Sequence, residues 1–109
     1  MKTYFYRGSF DRTVVEHIVE TGAGLERVMR VSVEAFGGKV IRCHLSASSV
    51  DPIGFLEFAE DIAARSWNAF YSTQPGVTGS TIERLLDEAD IADLGKRVQA
   101  SRAKAVAHR

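Results

Sequence analysis

The sequence has a single cysteine, no excess of either charge and no long apolar run, and each shortage excludes a class of protein. One cysteine forms no intramolecular disulfide and builds no cysteine-rich zinc site. Lysine plus arginine and aspartate plus glutamate both number 14, so the formal net charge is zero. Because no basic field is available to hold a phosphate backbone, we expect no nucleic-acid partner. No apolar run reaches the length of a membrane span, so we expect no membrane partner.

Other chemical motifs are also missing. The three histidines, His17, His44 and His108, have no metal-ligand spacing, and we expect neither a metal nor a cofactor. The segment Gly22-Ala-Gly24 lacks the third glycine of a dinucleotide fingerprint, and the pattern before it is helical. The N-terminal segment lacks the apolar core of a signal peptide, which predicts a cytoplasmic protein.

Apolar patterns of strand and helix type follow one another in the order β-α-β-β-α-β. The 109 residues fit one domain, which we place at residues 1–98, with the cationic stretch 99–109 as a frayed tail. A terminal helix around Ile91, Leu94 and Val98 precedes that tail. The predicted strands are 4–10, 40–47, 53–59 and 81–86, and the predicted helices are 14–36, interrupted at 21–24, and 61–73.

This order is the split β-α-β pattern of the ferredoxin-like fold. It predicts an α+β domain in which a four-stranded antiparallel sheet carries its helices on one face. The other face would stay uncovered, and an apolar sheet face in a chain of this size usually finds a partner. We therefore expect a homodimer, or a higher homo-oligomer, in which two open sheet faces meet as a dimeric α/β barrel.

Polar residues mark the predicted helix starts. Asp11 or Thr13 can cap the first helix, and Thr13 is followed three residues later by a glutamate, as in a capping box. Asp61 can cap the second helix. The apolar spacing of that second helix predicts four inward-facing residues: Ile62, Ser66, Trp67 and Phe70.

The predicted hairpin of the second and third strands contains both Cys43 and His44. Successive strand residues point to opposite faces, so a Cys–His dyad on this strand is excluded. Matching the apolar faces of the two strands pairs Cys43 with Phe58. The same register places His44 opposite Glu57, with Cβ atoms about 4.5–5.5 Å apart.

The hairpin residues have different predicted roles. Cys43 is predicted to be a small core residue beneath the helices. Two interpretations of His44 and Glu57 stay open: a cross-strand polar pair on a partly wet face or at a dimer contact, and a histidine poised by a carboxylate for proton transfer. Arg42 and Phe55 share their face and would line a ligand cavity there.

Two stretches of the hairpin carry a family likeness, residues 37–39 (GGK) and residues 49–57 (SVDPIGFLE). With them the chain resembles the GYD-domain proteins, small bacterial proteins of unassigned function with a ferredoxin-like, dimeric α/β-barrel-type fold. In this resemblance the family's Gly-Tyr-Asp falls on Ser49, Val50 and Asp51, with an acidic residue six positions further on. Of the three triad residues, this chain has only the aspartate, Asp51. The resemblance therefore makes Asp51 a further candidate ligand-binding residue.

Two classes of function follow from these predictions. The first is a small homo-oligomeric binding or regulatory protein without catalysis, with a small apolar or aromatic ligand. The second is a cofactor-independent enzyme of the dimeric α/β-barrel sort, such as a monooxygenase or isomerase, that uses His44 and Glu57. An enclosed cavity with a bound small molecule would favour the enzyme, and a sheet face filled by partner side chains would favour the binding protein.

Overall fold

The computed structural model describes residues 1–22 and 24–107. It confirms the predicted order of elements, with the first helix divided in two and a long helix at the end. His108, in the predicted tail, lies outside the described residues. The elements are β1 (Lys2–Phe10), α1 (Arg12–Thr21), α2 (Leu25–Ala35), β2 (Lys39–Leu45), β3 (Pro52–Phe58), α3 (Asp61–Ser72), β4 (Val77–Arg84) and α4 (Glu88–Ala107).

The four strands form one antiparallel sheet in the order β2-β3-β1-β4. The central strands β1 and β3 pair from Lys2 opposite Phe58 to Arg7 opposite Ile53. The predicted α+β class with a four-stranded antiparallel sheet is thereby confirmed, and the topology is compatible with a ferredoxin-like fold. Within the described part of the chain, no helix is both long and apolar enough to cross a membrane.

The core lies between one face of the sheet and the helices α2 and α3. Alternation along β1 turns Tyr4 and Tyr6 toward the helices, and β3 contributes Leu56 and Phe58. Helix α1 is amphipathic but has no buried residue, so α2 and α3 supply the helical side of the core. Their core residues are Met29, Val33, Ala64, Trp67 and Tyr71.

The predicted interruption of the first helix is a break between α1 and α2. Asp11 is the N-cap of α1, since its carboxylate accepts a hydrogen bond from the Val14 N–H at 2.9 Å; Thr13 does not cap this helix. Gly22 has a φ of 63° and Gly24 a φ of 105°, a region that side-chain-bearing residues rarely adopt. The two glycines thus let the chain turn between the helices.

The predicted inward face of α3 is wrong at three of its four positions. Ile62 and Phe70 are 67% and 43% exposed, and Ser66 is exposed as well. Trp67 alone is buried as predicted, together with Ala64 and Tyr71. Burying the two large rings outweighs burying one isoleucine, because the hydrophobic gain follows the apolar area removed from water. The helix is therefore rotated about its axis relative to the prediction.

The last strand lies earlier in the chain than the predicted 81–86. It pairs with β1 from Phe10 opposite Val77 to Tyr4 opposite Arg84. Gly79 lies within this strand and made the strand pattern of the sequence weaker at residues before 81, since glycine is unfavourable in strands. A Cβ at Gly79 would lie 2.6 Å from the Ser9 hydroxyl oxygen, so close strand approach explains the glycine.

Helix α4 extends through residues 99–107, which belong to the predicted frayed tail. None of its residues is buried. The radius of gyration is 18.0 Å and the longest dimension is 63 Å, whereas a compact chain of this length has a radius of about 13 Å. The helix therefore projects from the domain.

Asp61 is the first helical residue of α3, preceded by Glu60 as N-cap, so its predicted capping role is wrong. Its carboxylate instead accepts a hydrogen bond from the Tyr4 hydroxyl of β1. This bond lowers the pKa of Asp61. Burial, reinforced by the same carboxylate, raises the pKa of Tyr4 to about 12. One hydrogen bond therefore joins the start of α3 to the central strand.

Replacing Trp67 by alanine should lower the free energy of unfolding by about 3–5 kcal/mol, because a large ring is removed from the centre of the core. Ile62→Ala, in the same helix but exposed to solvent, is the matched control and should change stability by less than about 0.5 kcal/mol. Urea denaturation followed by circular dichroism measures both. Equal losses for the two variants would contradict the orientation of α3.

Stability should depend on pH through Tyr4 and Asp61. The contribution of Asp61, whose pKa is lowered, is present above its unfolded pKa of about 4 and is lost as pH falls through the folded value. The contribution of Tyr4 is present below about pH 10 and is lost as pH rises toward about 12. Urea denaturation across pH should show a shallower acid decline for Asp61→Asn than for wild type. Glu60→Gln, the neighbouring control, should follow wild type; an unchanged acid decline in Asp61→Asn would refute the coupling.

Candidate functional site

The sheet face opposite the helices carries the predicted site residues. Alternation along β1 and β3 turns Phe5, Ile53 and Phe55 to this face, and each of them is half-buried. Charged residues of the same strands and of β2 surround them. We define the sheet-face patch as Phe5, Arg7, Arg42, His44, Ile53 and Phe55.

Aromatic rings occupy the middle of the sheet-face patch. Phe5 lies directly opposite Phe55 on the neighbouring strand, with ring centroids 5.5 Å apart. On the other side of β3, Arg42 is the cross-strand partner of Phe55, and its guanidinium carbon lies 5.7 Å from the Phe55 ring centroid. This distance allows a cation–π contact. Two rings and a guanidinium therefore form one continuous surface across three strands.

A second row of the sheet-face patch is centred on Ile53. Its cross-strand neighbours are His44 on β2 and Arg7 on β1. An Arg7 Nη2 atom lies 3.9 Å from an Asp51 carboxylate oxygen, a distance typical of a loose ion pair. Arg7 was absent from the predicted site, although its place two residues after Phe5 on a strand could have indicated it. The predicted ligand-binding residues Asp51, Arg42 and Phe55 thus lie around one surface.

The predicted pairing of His44 with Glu57 is wrong. His44 lies opposite Ile53, and Glu57 lies opposite Lys39 near the far end of β2. Cys43 likewise lies opposite Gly54 and not Phe58. The observed partners of Cys43 and His44 both lie an even number of residues along β3 from the predicted partners. The two residues therefore keep their predicted faces, although the register of the hairpin differs from the prediction. His44 and Glu57 are not neighbours within the chain, so the proton-transfer pair is not assembled here.

Two local features set the observed register. The hairpin closes where the Ser46 N–H donates to the Asp51 carbonyl at 2.8 Å, earlier in β2 than the predicted end at residue 47. A β-bulge then interrupts the pairing between Val40 and Arg42, leaving Ile41 as an extra residue. Neither feature follows from matching apolar faces, which was the basis of the predicted register.

The hairpin turn contains Ser49, Val50 and Asp51, on which the resemblance predicts that the family triad falls. Val50 has a φ of 57°, which is unfavourable for a β-branched residue. Its N–H donates to the Ser46 carbonyl at 2.9 Å, and the Ser49 hydroxyl donates to an Asp51 carboxylate oxygen at 2.9 Å. These bonds hold Asp51 at the end of the sheet-face patch, where it meets Arg7.

Cys43 lies on the helix side of the sheet, as the alternation predicted. It is half-buried and packs against the core. Burial raises the pKa of its thiol, with a smaller effect from Glu26. A thiol with a raised pKa is a weak nucleophile at neutral pH, because only the thiolate reacts. Cys43 and His44 thus face opposite sides of the sheet.

A separate cavity of about 330 Å³ lies on the helix side, between α1, α2 and the end of α3. Its lining includes Val14, Ile18, Leu25 and Tyr71, and none of the predicted site residues. Burial raises the pKa of Tyr71. In the described residues, no group of three or more histidine, cysteine, aspartate or glutamate side chains is placed to hold a metal ion.

Comparison of the chain with family models, curated protein sequences and solved structures gave no match. The resemblance to the GYD-domain proteins therefore stays a prediction.

Proposed function

We propose that this protein is a homodimeric module that binds a small aromatic ligand between two apposed sheet faces. The observation that carries the proposal is the uncovered aromatic surface formed by Phe5, Phe55 and the Arg42 guanidinium. A lone exposed apolar residue needs no explanation, but a cluster on an otherwise polar face is typical of an interaction site.

The charges around the sheet-face patch suit pairing with a second copy. In a two-fold symmetric dimer the same surface meets itself, so it must present both signs of charge. Arg7 and Arg42 supply positive charge, whereas Glu57 and Glu83 supply negative charge on the same face. Glu83 lies directly opposite Phe5 on β4, next to the apolar centre. Such a surface combines an apolar middle with a self-complementary rim.

The chemistry of the sheet-face patch favours an aromatic anion as ligand. Phe5 and Phe55 offer ring surfaces for stacking. Arg42 presents a planar guanidinium that binds carboxylate or sulfonate oxygens and also stacks on rings. Binding without catalysis is the function we favour, because the enzymatic alternative relied on His44 and Glu57 as direct neighbours.

Wild-type protein should sediment as a dimer or a larger assembly at micromolar concentration, and Phe55→Glu should lose the contact between sheet faces and sediment as a smaller species than wild type. A glutamate at that position would place a desolvated charge in the middle of the contact. Val19→Glu, on the solvent side of α1, introduces the same charge away from the sheet and should leave the association unchanged. Analytical ultracentrifugation distinguishes these outcomes. A wild-type monomer would rule out the sheet-face dimer.

The ligand class can be tested with anilinonaphthalene sulfonate, an aromatic anion whose fluorescence rises on binding. Arg42→Gln should weaken its binding roughly fivefold, as the loss of about 1 kcal/mol of cation–π and charge interaction predicts. Lys39→Gln removes a positive charge from the same strand outside the sheet-face patch and should have little effect. Equal affinity in both variants would show that the probe does not use Arg42.

A further inference from the structure

Helix α4 presents an apolar stripe that is about half exposed to solvent. Ile91, Leu94 and Val98 follow one another at spacings of three and four residues, which places them on one side of the helix. They are 58%, 50% and 46% exposed. The stripe is separate from the sheet-face patch, because it belongs to the element that projects from the domain.

The helix needs a partner for physical reasons. It is 20 residues long, none of which is buried, and it contains Gly95 near its middle. An internal glycine weakens a helix by about 1 kcal/mol. Stability of most protein helices comes from packing their apolar side. Covering the stripe would supply that packing.

The pattern of the stripe is that of a short coiled coil. With Ile91 at heptad position a and Leu94 at d, Val98 again occupies a, followed by Ser101 at d and Ala105 at a. Positions e and g, which flank the seam in such pairs, then hold only charged residues and one glycine. These flanking residues are Glu88, Asp90, Gly95, Arg97, Arg102 and Lys104.

The charges of α4 are segregated along its length. Residues 88–93 contain three acidic and no basic residues, and residues 96–104 contain four basic and no acidic residues. Two parallel copies would therefore bring like charges together, whereas two antiparallel copies bring opposite charges together. When Leu94 of one copy meets Val98 of the other, Glu88 lies near Arg102 at the edge of the seam. The charge pattern thus favours a second copy of α4 as the partner and an antiparallel direction for the pair.

Some of these charges already have partners within the chain. Asp90 accepts a hydrogen bond from Arg84 at 3.0 Å, and Arg97 donates to Asp93 at 2.9 Å. Glu88 and Arg102 are the flanking pair outside these contacts. The segregation also suits the helix dipole, which favours acidic residues at the start and basic residues at the end. A test must therefore separate pairing between copies from stabilisation of a single helix.

We propose that α4 pairs in an antiparallel arrangement with α4 of a second copy, through Ile91, Leu94 and Val98 and with Glu88 beside Arg102 of the other copy. This contact is a second self-association surface, distinct from the sheet-face patch. A chain that uses both surfaces forms an assembly larger than a dimer.

The test is charge exchange in full-length protein that also carries Phe55→Glu, so that the helix contact is measured without the sheet-face contact. This background protein should associate across the micromolar range. Adding Arg102→Glu, or Glu88→Arg, should weaken association at least tenfold, because like charges then meet at both symmetry-related contacts. An equimolar mixture of the two variants should regain association, since each acidic position then meets a basic one. Sedimentation equilibrium and native mass spectrometry measure the species.

The equimolar mixture distinguishes pairing between two copies of α4 from stabilisation of a single helix through its dipole. If the charges act only within one helix, both variants lose stability and mixing restores nothing, which would overturn the proposal. A monomeric background protein, or variants that associate as it does, would overturn it too. Leu94→Glu should abolish association, and Ala100→Glu, on the outer side of α4, is its matched control and should not. Loss of association in both of these variants would also contradict the assigned seam.

Discussion

The fold depends on the contacts of one side chain, Trp67, with three elements. Its ring is stacked on Tyr71 in the same helix, with centroids 5.1 Å apart, and meets Tyr6 of β1 edge to face at 4.9 Å. Its indole N–H donates to the Ser32 hydroxyl of α2 at 3.0 Å. Because the ring geometry and the hydrogen bond are both directional, they fix the rotation of α3 as well as its distance from the sheet. Phe70 is left on the outside as a consequence.

Alternation in the sequence predicted correctly which side of the sheet Cys43 and His44 face, but not Val40, which lies before the bulge and packs against the core. Cys43 lies toward the helices and His44 away from them, because this depends only on the two-residue period of a strand. The register could not be obtained in the same way, since any even displacement preserves the faces. It is set by the turn closure between Ser46 and Asp51 and by the bulge at Ile41, which depend on local backbone geometry.

The candidate site was predictable in part for the same reason. Arg42 and Phe55 were assigned to one face, and they do lie together. Arg7 was missed because the pairing of β1 with β3 joins strands distant in sequence and leaves no local pattern. Alternation along β1 indicates only that Arg7 shares a side with Phe5. The inward side of α3 was missed because apolar residues occupy more than one side of that helix, as Ile62 and Trp67 illustrate. Helical spacing alone does not show which of these sides is buried, whereas the size of the rings on each side does.

The bulge at Ile41 also bears on how the sheet avoids uncontrolled growth. Strand β2 is an outer strand, so its unpaired N–H and C=O groups are a template for another chain to add itself indefinitely. An extra residue bends the strand and breaks the even spacing of those groups, which makes edge-to-edge addition unfavourable. Lys39 and Arg42 place charge on the same edge. One local irregularity of the backbone therefore disfavours fibril-like extension at this edge of the sheet.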